Sequence, residues 1–439
     1  MSQSRVFNTI VIGCGKLGAP LLGVLAEAGH TVIGIDIDKR LIANLQDLIV
    51  TWNEPGLREV LKANSRNISF SSSFEGHFVN THISFVIVPT PSKPDGSYNN
   101  EYVISAVSEI GKELQKSSLA THTVVIVSTV MPGSTSGEIK SALVEALGDS
   151  NCKVSICYSP EFIALGSVIK NMKYPDMILI GEEEKEAGDL LEEISRSFSL
   201  SNPKVHRLKT IEAELAKIAI NSYVTTKISF SNQISEICEK SLGASADQVL
   251  SAIGSDSRIG PSYLKAATAY GGPCFPRDNR AFSKYANEVN ASSAIAEATD
   301  LVNNRQFDRL LNLVSKKSNE IRKIVIVGAA YKPDTEVLEE SPSIRFAESA
   351  IKRGYQVEFI DDFVKTVSSL PEVAVATSTH SKEIINEADA LMLFVPSALY
   401  KDLPTYARRG ATIFDLWGIW KEFENSDLIS YVRLGDYNE

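Results

Sequence analysis

The segment from Phe7 to Asp36 limits what this chain can become more than any other. Phe7 to Gly13 is a short apolar run rich in β-branched residues, the composition of a buried parallel strand. Gly13-Cys14-Gly15-Lys16-Leu17-Gly18 follows at once, Ala19 to Ala28 has helical composition, and Gly29 closes it. A second strand, Thr31 to Ile35, ends at Asp36, 23 positions after Gly13. Strand, glycine turn, helix, strand and acid in that order predict a Rossmann unit. The glycines let a pyrophosphate sit on the helix amino terminus. Asp36 can accept hydrogen bonds from a ribose 2′-hydroxyl and would repel a 2′-phosphate, so NAD is expected over NADP. Lys39 and Arg40 pull slightly the other way, since they could accept a phosphate. The expected cofactor contacts here are Gly13, Gly15, Lys16, Leu17, Gly18 and Asp36; the alternative is a Rossmann-like fold that binds nothing.

Ligands of open α/β sheets bind beyond the carboxyl ends of strands. Ile83 to Val88 runs into Pro89 and Thr90, and Val124 to Val127 runs into Ser128 and Thr129. These four residues are expected to line the cofactor cleft; taken singly, Thr90, Ser128 and Thr129 each read better as ordinary turn hydroxyls. Val154 to Tyr158 is a further strand that delivers Glu161 at its exit.

Thr210 to Leu242 reads as one long helix, with apolar residues such as Ile211, Leu215, Ile218, Ile228 and Phe230 on several faces. That pattern predicts a buried helix, often one at a subunit interface. Lys217 and Asn221 share a face of it, where an ammonium beside an amide can hold an oxyanion. Ser315 to Glu320 is a charged junction, after which Ile324 to Gly328 opens a second β-α-β pattern. Tyr331 and Lys332 follow its first strand, Ser343 to Lys352 is helical, and Gln356 to Ile360 ends at Asp361. This half lacks a second GxGxxG and is expected to bind the other ligand. The fold expected is α/β, with two Rossmann-like doubly wound domains joined by a long central helix. The expected divisions are 1–205, 206–315 and 316–439.

Between the halves lies Gly271-Gly272-Pro273-Cys274-Phe275-Pro276-Arg277-Asp278. A stiff loop presenting one thiol and one carboxylate suits covalent catalysis, although a buried structural cysteine beside a turn would look the same. The net charge of −10 argues against nucleic-acid binding and requires local cations for an anionic substrate. Arg258 and Lys265 are such candidates. Five cysteines lack metal-ligand spacing, so no metal is expected, and their sparseness suggests a reducing, cytoplasmic setting. No apolar run reaches the roughly 18 residues that span a bilayer, so no membrane partner is expected.

The motifs GCGKLG, EPGL, VPTP, STVMPG, SPEF, ELAKIAIN, GGPCFPRD and YKPDT occur in this order. In them the chain resembles the UDP-glucose/GDP-mannose dehydrogenase family over nearly its whole length. The resemblance implies NAD-dependent, four-electron oxidation of the C6 alcohol of a nucleotide sugar. Ser257 to Ala267 looks most like UDP-glucose dehydrogenases; UDP-N-acetylhexosamines and GDP-mannose are the alternative substrates. It implies Cys274 as nucleophile, Lys217 with Asn221 as oxyanion holders, Asp278 and Thr129 as positioners of a proton-shuttling water, and Glu161 as activator of the hydrolytic water. Phe162, Ile163, Ala164, Leu165 and Gly166 would cradle the nucleotide sugar, with Tyr263, Lys265, Tyr270, Gly271, Tyr331 and Lys332 also at that ligand. Arg258 would reach the neighbouring subunit's site, which implies a homodimer or larger homo-oligomer. Two positions depart from the family pattern: its glutamate is Leu165 here, and its arginine is Glu339. Weaker NAD binding is therefore expected. Two rivals remain at this point: a two-electron hydroxyacid-type dehydrogenase, which needs no Cys274, and a non-catalytic nucleotide-sugar-binding protein.

Overall fold

A computed structural model describes residues 5–437. The chain forms two compact units that divide between Ile218 and Ala219, inside the helix Thr210–Glu239.

The first unit holds an eight-stranded sheet. Its strands are β1 (Asn8–Ile12), β2 (Thr31–Ile35), β3 (Ile68–Ser71), β4 (Ile83–Val86), β5 (Thr121–Ile126), β6 (Lys153–Tyr158), β7 (Met177–Glu182) and β8 (Lys204–Leu208). They lie in the order β3-β2-β1-β4-β5-β6-β7-β8, parallel throughout except for β6 against β7. The first six follow the doubly wound order of a dinucleotide fold. Alternation along β1 explains why Ile10, Val11 and Ile12 are all apolar. Val11 packs into one core cluster while Ile10 and Ile12 pack into the cluster on the opposite face. The chain reverses direction across the sheet between β1 and β4, so the carboxyl ends of β1, β4, β5 and β6 stand side by side. The glycine turn, Thr90, Thr129 and Glu161 follow those four ends.

The second unit repeats the plan. Strands β9 (Lys323–Val327), β10 (Gln356–Ile360), β11 (Val375–Ala376), β12 (Ala390–Leu393), β13 (Thr412–Asp415) and β14 (Ser430–Arg433) form a parallel sheet ordered β11-β10-β9-β12-β13-β14. The turn after β9 matches the turn after β1 in detail. Gly328 N–H donates to Ile360 O at 2.8 Å, as Gly13 N–H donates to Ile35 O at 2.8 Å. The acid at the end of the second strand differs in use. Asp361 is buried and accepts from the N–H groups of Ala329, Ala330, Phe363 and Val364.

The helix Thr210–Glu239 departs from the expectation of burial on several faces. Ile218 is fully buried, but Ile211, Leu215 and Phe230 are exposed. Within the second unit its buried stripe is made of hydroxyl and amide residues instead: Ser222, Thr225, Ser229, Ser231, Asn232 and Ser235. They are satisfied by neighbouring helices, with Ser222 Oγ donating to Asn279 Oδ1 at 2.8 Å and Ser229 Oγ to Thr299 O at 2.9 Å. Hydrogen-bonded hydroxyls replace apolar packing there at little net cost.

Candidate active site

In the first unit, close approach explains the glycine turn. A side chain on Gly13 would come within 2.4 Å of Ile87 O, and one on Gly18 within 1.7 Å of Gly13 O. The helix Gly18–Glu27 therefore starts directly against the end of β1. Gly15 faces open space, with nothing within 4 Å of where a side chain would begin. A helix amino terminus opening onto free space beside a backbone turn suits a diphosphate. Asp36 is half-buried, and its carboxylate accepts from Cys14 N–H at 2.8 Å and Asp38 N–H at 2.9 Å. Those bonds hold the carboxylate at the end of β2, where a ribose of NAD would lie. Leu17 occupies the position before the helix and packs on the core, while Lys16 is exposed. Asp38 caps the next helix, Lys39–Gln46, through Arg40 N–H and Leu41 N–H, so Lys39 and Arg40 are exposed first-turn residues. The residues present fit NAD.

Two hydroxyls bind the adjacent loops together. Ser128 Oγ accepts from Val88 N–H at 2.9 Å and donates to Val88 O at 2.7 Å. Thr90 Oγ1 donates to Thr129 O at 2.7 Å. Both hydroxyl residues are buried, Pro89 is exposed, and Thr129 is half-buried.

Glu161, Phe162 and Lys217 meet in this unit. Lys217 is 8% exposed; its Nζ donates to Glu161 O at 2.7 Å and lies 4.7 Å from the centre of the Phe162 ring. Desolvation pushes the Glu161 carboxyl up to about 7, against the pull of the Lys217 charge. Such a group exchanges protons near neutrality. Ala164 is exposed, with its N–H donating to Asn171 Oδ1 at 3.0 Å; Gly166 takes φ +82. Ile163 and Leu165 turn inward onto the core cluster that contains Cys14 and Leu21. A glutamate could not make Leu165's apolar contact.

In the second unit, Cys274 stands immediately before the helix Phe275–Glu288, with Pro276 inside its first turn. Of the five cysteines it alone is exposed; the others are buried, where desolvation raises the Cys14 and Cys157 thiols. The amino end of a helix favours negative charge, so the one accessible thiol sits where a thiolate is stabilised. Asp278 lies one turn further on, 1% exposed, and accepts from Asn221 Nδ2 at 2.6 Å. Gly272 has φ +83, and a side chain there would strike the Tyr331 ring at 2.4 Å. Tyr331 thus roofs the cysteine loop, and burial together with nearby Cys274 pushes its phenol up. Gly271 is held as closely, 2.1 Å from Glu340 O at the point where a side chain would begin.

Lys332 is half-buried, its Nζ 5.9 Å from the Tyr331 ring centre. Lys265 is exposed, yet desolvation holds its ammonium below the ordinary value against the pull of Asp247. Tyr263 adopts φ +62, rare for an aromatic residue, and sets its ring edge-on to Phe275 at 6.1 Å. Tyr270 is buried, with its hydroxyl donating to Asp300 and its backbone clasped by Asn303 through bonds of 2.8 and 3.1 Å. Arg258 stands apart from this group. Its side chain is 85% exposed and pairs with Asp256 at 2.6 Å in its own loop. Glu339 is exposed beside an open depression that Glu340, Arg345 and Glu348 also line.

Two anchoring residues escaped the sequence reading. Lys227 Nζ donates to Ile259 O at 3.2 Å and Gly260 O at 3.4 Å, tying the Arg258 loop to the long helix. Glu214 is fully buried three residues before Lys217. Its sequence signal is its place at the head of ELAKIAIN, which does not say what it holds. Among the described residues no helix is long and apolar enough to cross a membrane, and no cluster of side chains could hold a metal ion.

Three models of the UDP-glucose/GDP-mannose dehydrogenase family match in succession: the NAD binding domain at 7–199, the central domain at 211–305 and the UDP binding domain at 325–422. A UDP-glucose 6-dehydrogenase of Bacillus subtilis is 32% identical over 91% of this chain and 90% of its own. A GDP-mannose 6-dehydrogenase of Pseudomonas aeruginosa is 30% identical over 93% and 96%. The structure of a UDP-glucose dehydrogenase from Pyrobaculum islandicum superposes with a TM-score of 0.90 at 28% identity, covering 100% of this chain and 99% of that one.

Proposed function

This chain belongs to the UDP-glucose/GDP-mannose dehydrogenase family and is an NAD-dependent nucleotide-sugar 6-dehydrogenase, and from that premise we propose that it converts UDP-glucose to UDP-glucuronate through a thioester on Cys274. The observation that carries the thioester is the single exposed thiol at a helix amino terminus, one turn before a buried carboxylate. The choice of UDP-glucose rests on the segment Ser257 to Ala267, which resembles UDP-glucose dehydrogenases.

NAD, when bound, accepts one hydride in each of two oxidations. Lys217 and Asn221 stabilise negative charge on the C6 oxygen in both. Thr129 and Asp278 hold the water that carries the hydroxyl proton away. The Cys274 thiolate adds to the C6 aldehyde and forms a thiohemiacetal, which the second oxidation turns into a thioester. Glu161 takes a proton from water as its oxygen attacks the acyl carbon. The carbon–sulfur bond breaks, the carboxylate leaves, and the thiolate returns. The turn Gly13, Gly15, Lys16, Leu17 and Gly18, with Asp36, Pro89, Thr90 and Ser128, holds the cofactor. Phe162 to Gly166, Tyr263, Lys265, Tyr270, Gly271, Tyr331 and Lys332 hold the nucleotide sugar.

We assign NAD binding to 1–205, the catalytic lysine and cysteine to 206–315, and nucleotide binding to 316–439. The enzyme works as a cytoplasmic homodimer in which Arg258 serves the neighbouring site. Tyr223, Phe230 and Ile237 support this, being 64%, 46% and 53% exposed at seven-residue spacing along one helix face.

The test is to offer UDP-glucose, UDP-N-acetylhexosamines and GDP-mannose with NAD and count NADH per sugar consumed. Two NADH per UDP-glucose, with preference over the others, is the expected result. One NADH per sugar would refute the thioester route, and preference for another sugar would refute the substrate assignment.

A further inference from the structure

Glu214 is 0% exposed, and a carboxylate removed from water must be compensated. Its compensation comes from backbone. Oε2 accepts from Gly133 N–H at 2.5 Å, and Oε1 accepts from Thr135 N–H at 2.8 Å. Those donors lie at the start of the helical stretch 135–147, where N–H groups lack partners within the helix. Burial pushes the Glu214 carboxyl up and the bonds from this turn work against it.

Gly133 and Thr135 close the loop that begins at Ser128 and carries Thr129. Its near end is pinned by Ser128 to Val88 and by Thr90 to Thr129. Its far end is pinned by Glu214. On the helix Thr210–Glu239, Glu214 precedes Lys217 by three residues, so both side chains share one face. Lys217 in turn holds Glu161 O. One buried carboxylate therefore joins the Thr129 loop to the helix that carries Lys217.

We infer that Glu214 is a positioning residue, which fixes the Thr129 loop against the Lys217 helix and so sets the geometry of proton removal at C6. The inference rests on the reading of Thr129 and Lys217 as reacting-site residues. A glutamine at 214 accepts one of the two N–H groups and turns its own N–H₂ toward the other, which pushes the loop away.

Turnover of UDP-glucose with NAD should be compared for wild type, Glu214→Gln, Thr129→Val and the double variant. Glu214→Gln should lower kcat about tenfold with both KM values within twofold, and the primary isotope effect with C6-deuterated substrate should rise. In the Thr129→Val background it should cost less than a further twofold, because the residue it positions is already gone. A fold-stabilising role alone would leave kcat per folded site unchanged, or would give losses that multiply; either result overturns the inference. Full activity of Thr129→Val would instead remove the reading of the site on which it rests. Should Glu214→Gln not fold, the same comparison is made with Glu214→Asp, whose shortened carboxylate keeps the charge. If neither folds, Glu214 is structural and the inference fails.

Discussion

Replacing Glu161 by glutamine should make the protein more stable and the enzyme slower, with both effects confined to the same pH range. The carboxyl is pushed from its ordinary 4.5 to about 7 by desolvation. The folded chain thus holds this proton more tightly than the unfolded chain. Wild-type stability from this group is complete below pH 4.5, falls as pH rises toward 7, and levels off above it. A gap of that size corresponds to about 3 kcal/mol as an upper bound, since water reaches a half-buried group. Glutamine carries no charge to desolvate, so Glu161→Gln lacks the fall. Its melting temperature minus that of wild type should be larger at pH 8 than at pH 5, by several degrees for a unit of this size. Comparing the difference at two pH values cancels every constant effect of the substitution. The same variant has no base for thioester hydrolysis. Intact-mass measurement after mixing with NAD and UDP-glucose should show an acyl adduct on Cys274 that wild type clears. In wild type, the hydrolytic step should lose rate below pH 7, as Glu161 protonates. Lys217 opposes the shift, so Lys217→Met should move that acid limb to higher pH. An equal melting difference at both pH values, with no adduct, would refute both the desolvation of Glu161 and its role as base.

Cys274→Ser should lower carboxylate formation by on the order of 10³ or more, measured as uronate released, because the exposed thiol is the only accessible one; wild-type rates would end the covalent route. Arg258→Ala should raise the KM for the nucleotide sugar with little change for NAD. Lys227→Ala should do the same, by roughly fivefold, because loss of its bonds to Ile259 O and Gly260 O frees the Arg258 loop at a cost of about 1 kcal/mol; an unchanged KM would show that this loop does not need the tie. Leu165→Glu with Glu339→Arg should tighten NAD by about tenfold in direct titration, because a guanidinium replaces the Glu339 carboxylate and the carboxylate introduced at 165 supports it. Weaker binding would mean that Leu165 is needed where it packs, on the core cluster around Cys14.

What could be read from the sequence, and what could not, divides along a physical line. Thr31–Ile35 reads as a β-branched, mostly apolar run and Gln356–Ile360 as an alternating polar and apolar one, so both strands are legible to the residue. The run Met177–Glu182 ends among acids, and Lys204–Leu208 is only half-buried at the sheet edge, so neither stood out. That β7 runs antiparallel to β6 depends on how the connection returns, which no local pattern encodes. The long helix misled for a related reason. Its apolar residues read as buried, whereas Phe230 faces outward and Thr226 meets Thr299 at 3.0 Å inside the fold. A hydroxyl can be buried only where a partner waits, and the partner is 73 residues away in this case. The candidate site shows the same division. Cys274, Lys217 and Glu161 are residue types with reactive side chains standing within motifs, so the sequence singles them out. Glu214 acts only through two N–H groups 81 and 79 residues distant, and Lys227 through carbonyls 32 and 33 residues distant. Backbone donors and acceptors are the same at every position, so a residue that serves them leaves no signature of what it serves. Glu214 opens the motif ELAKIAIN, but what its carboxylate holds required the fold.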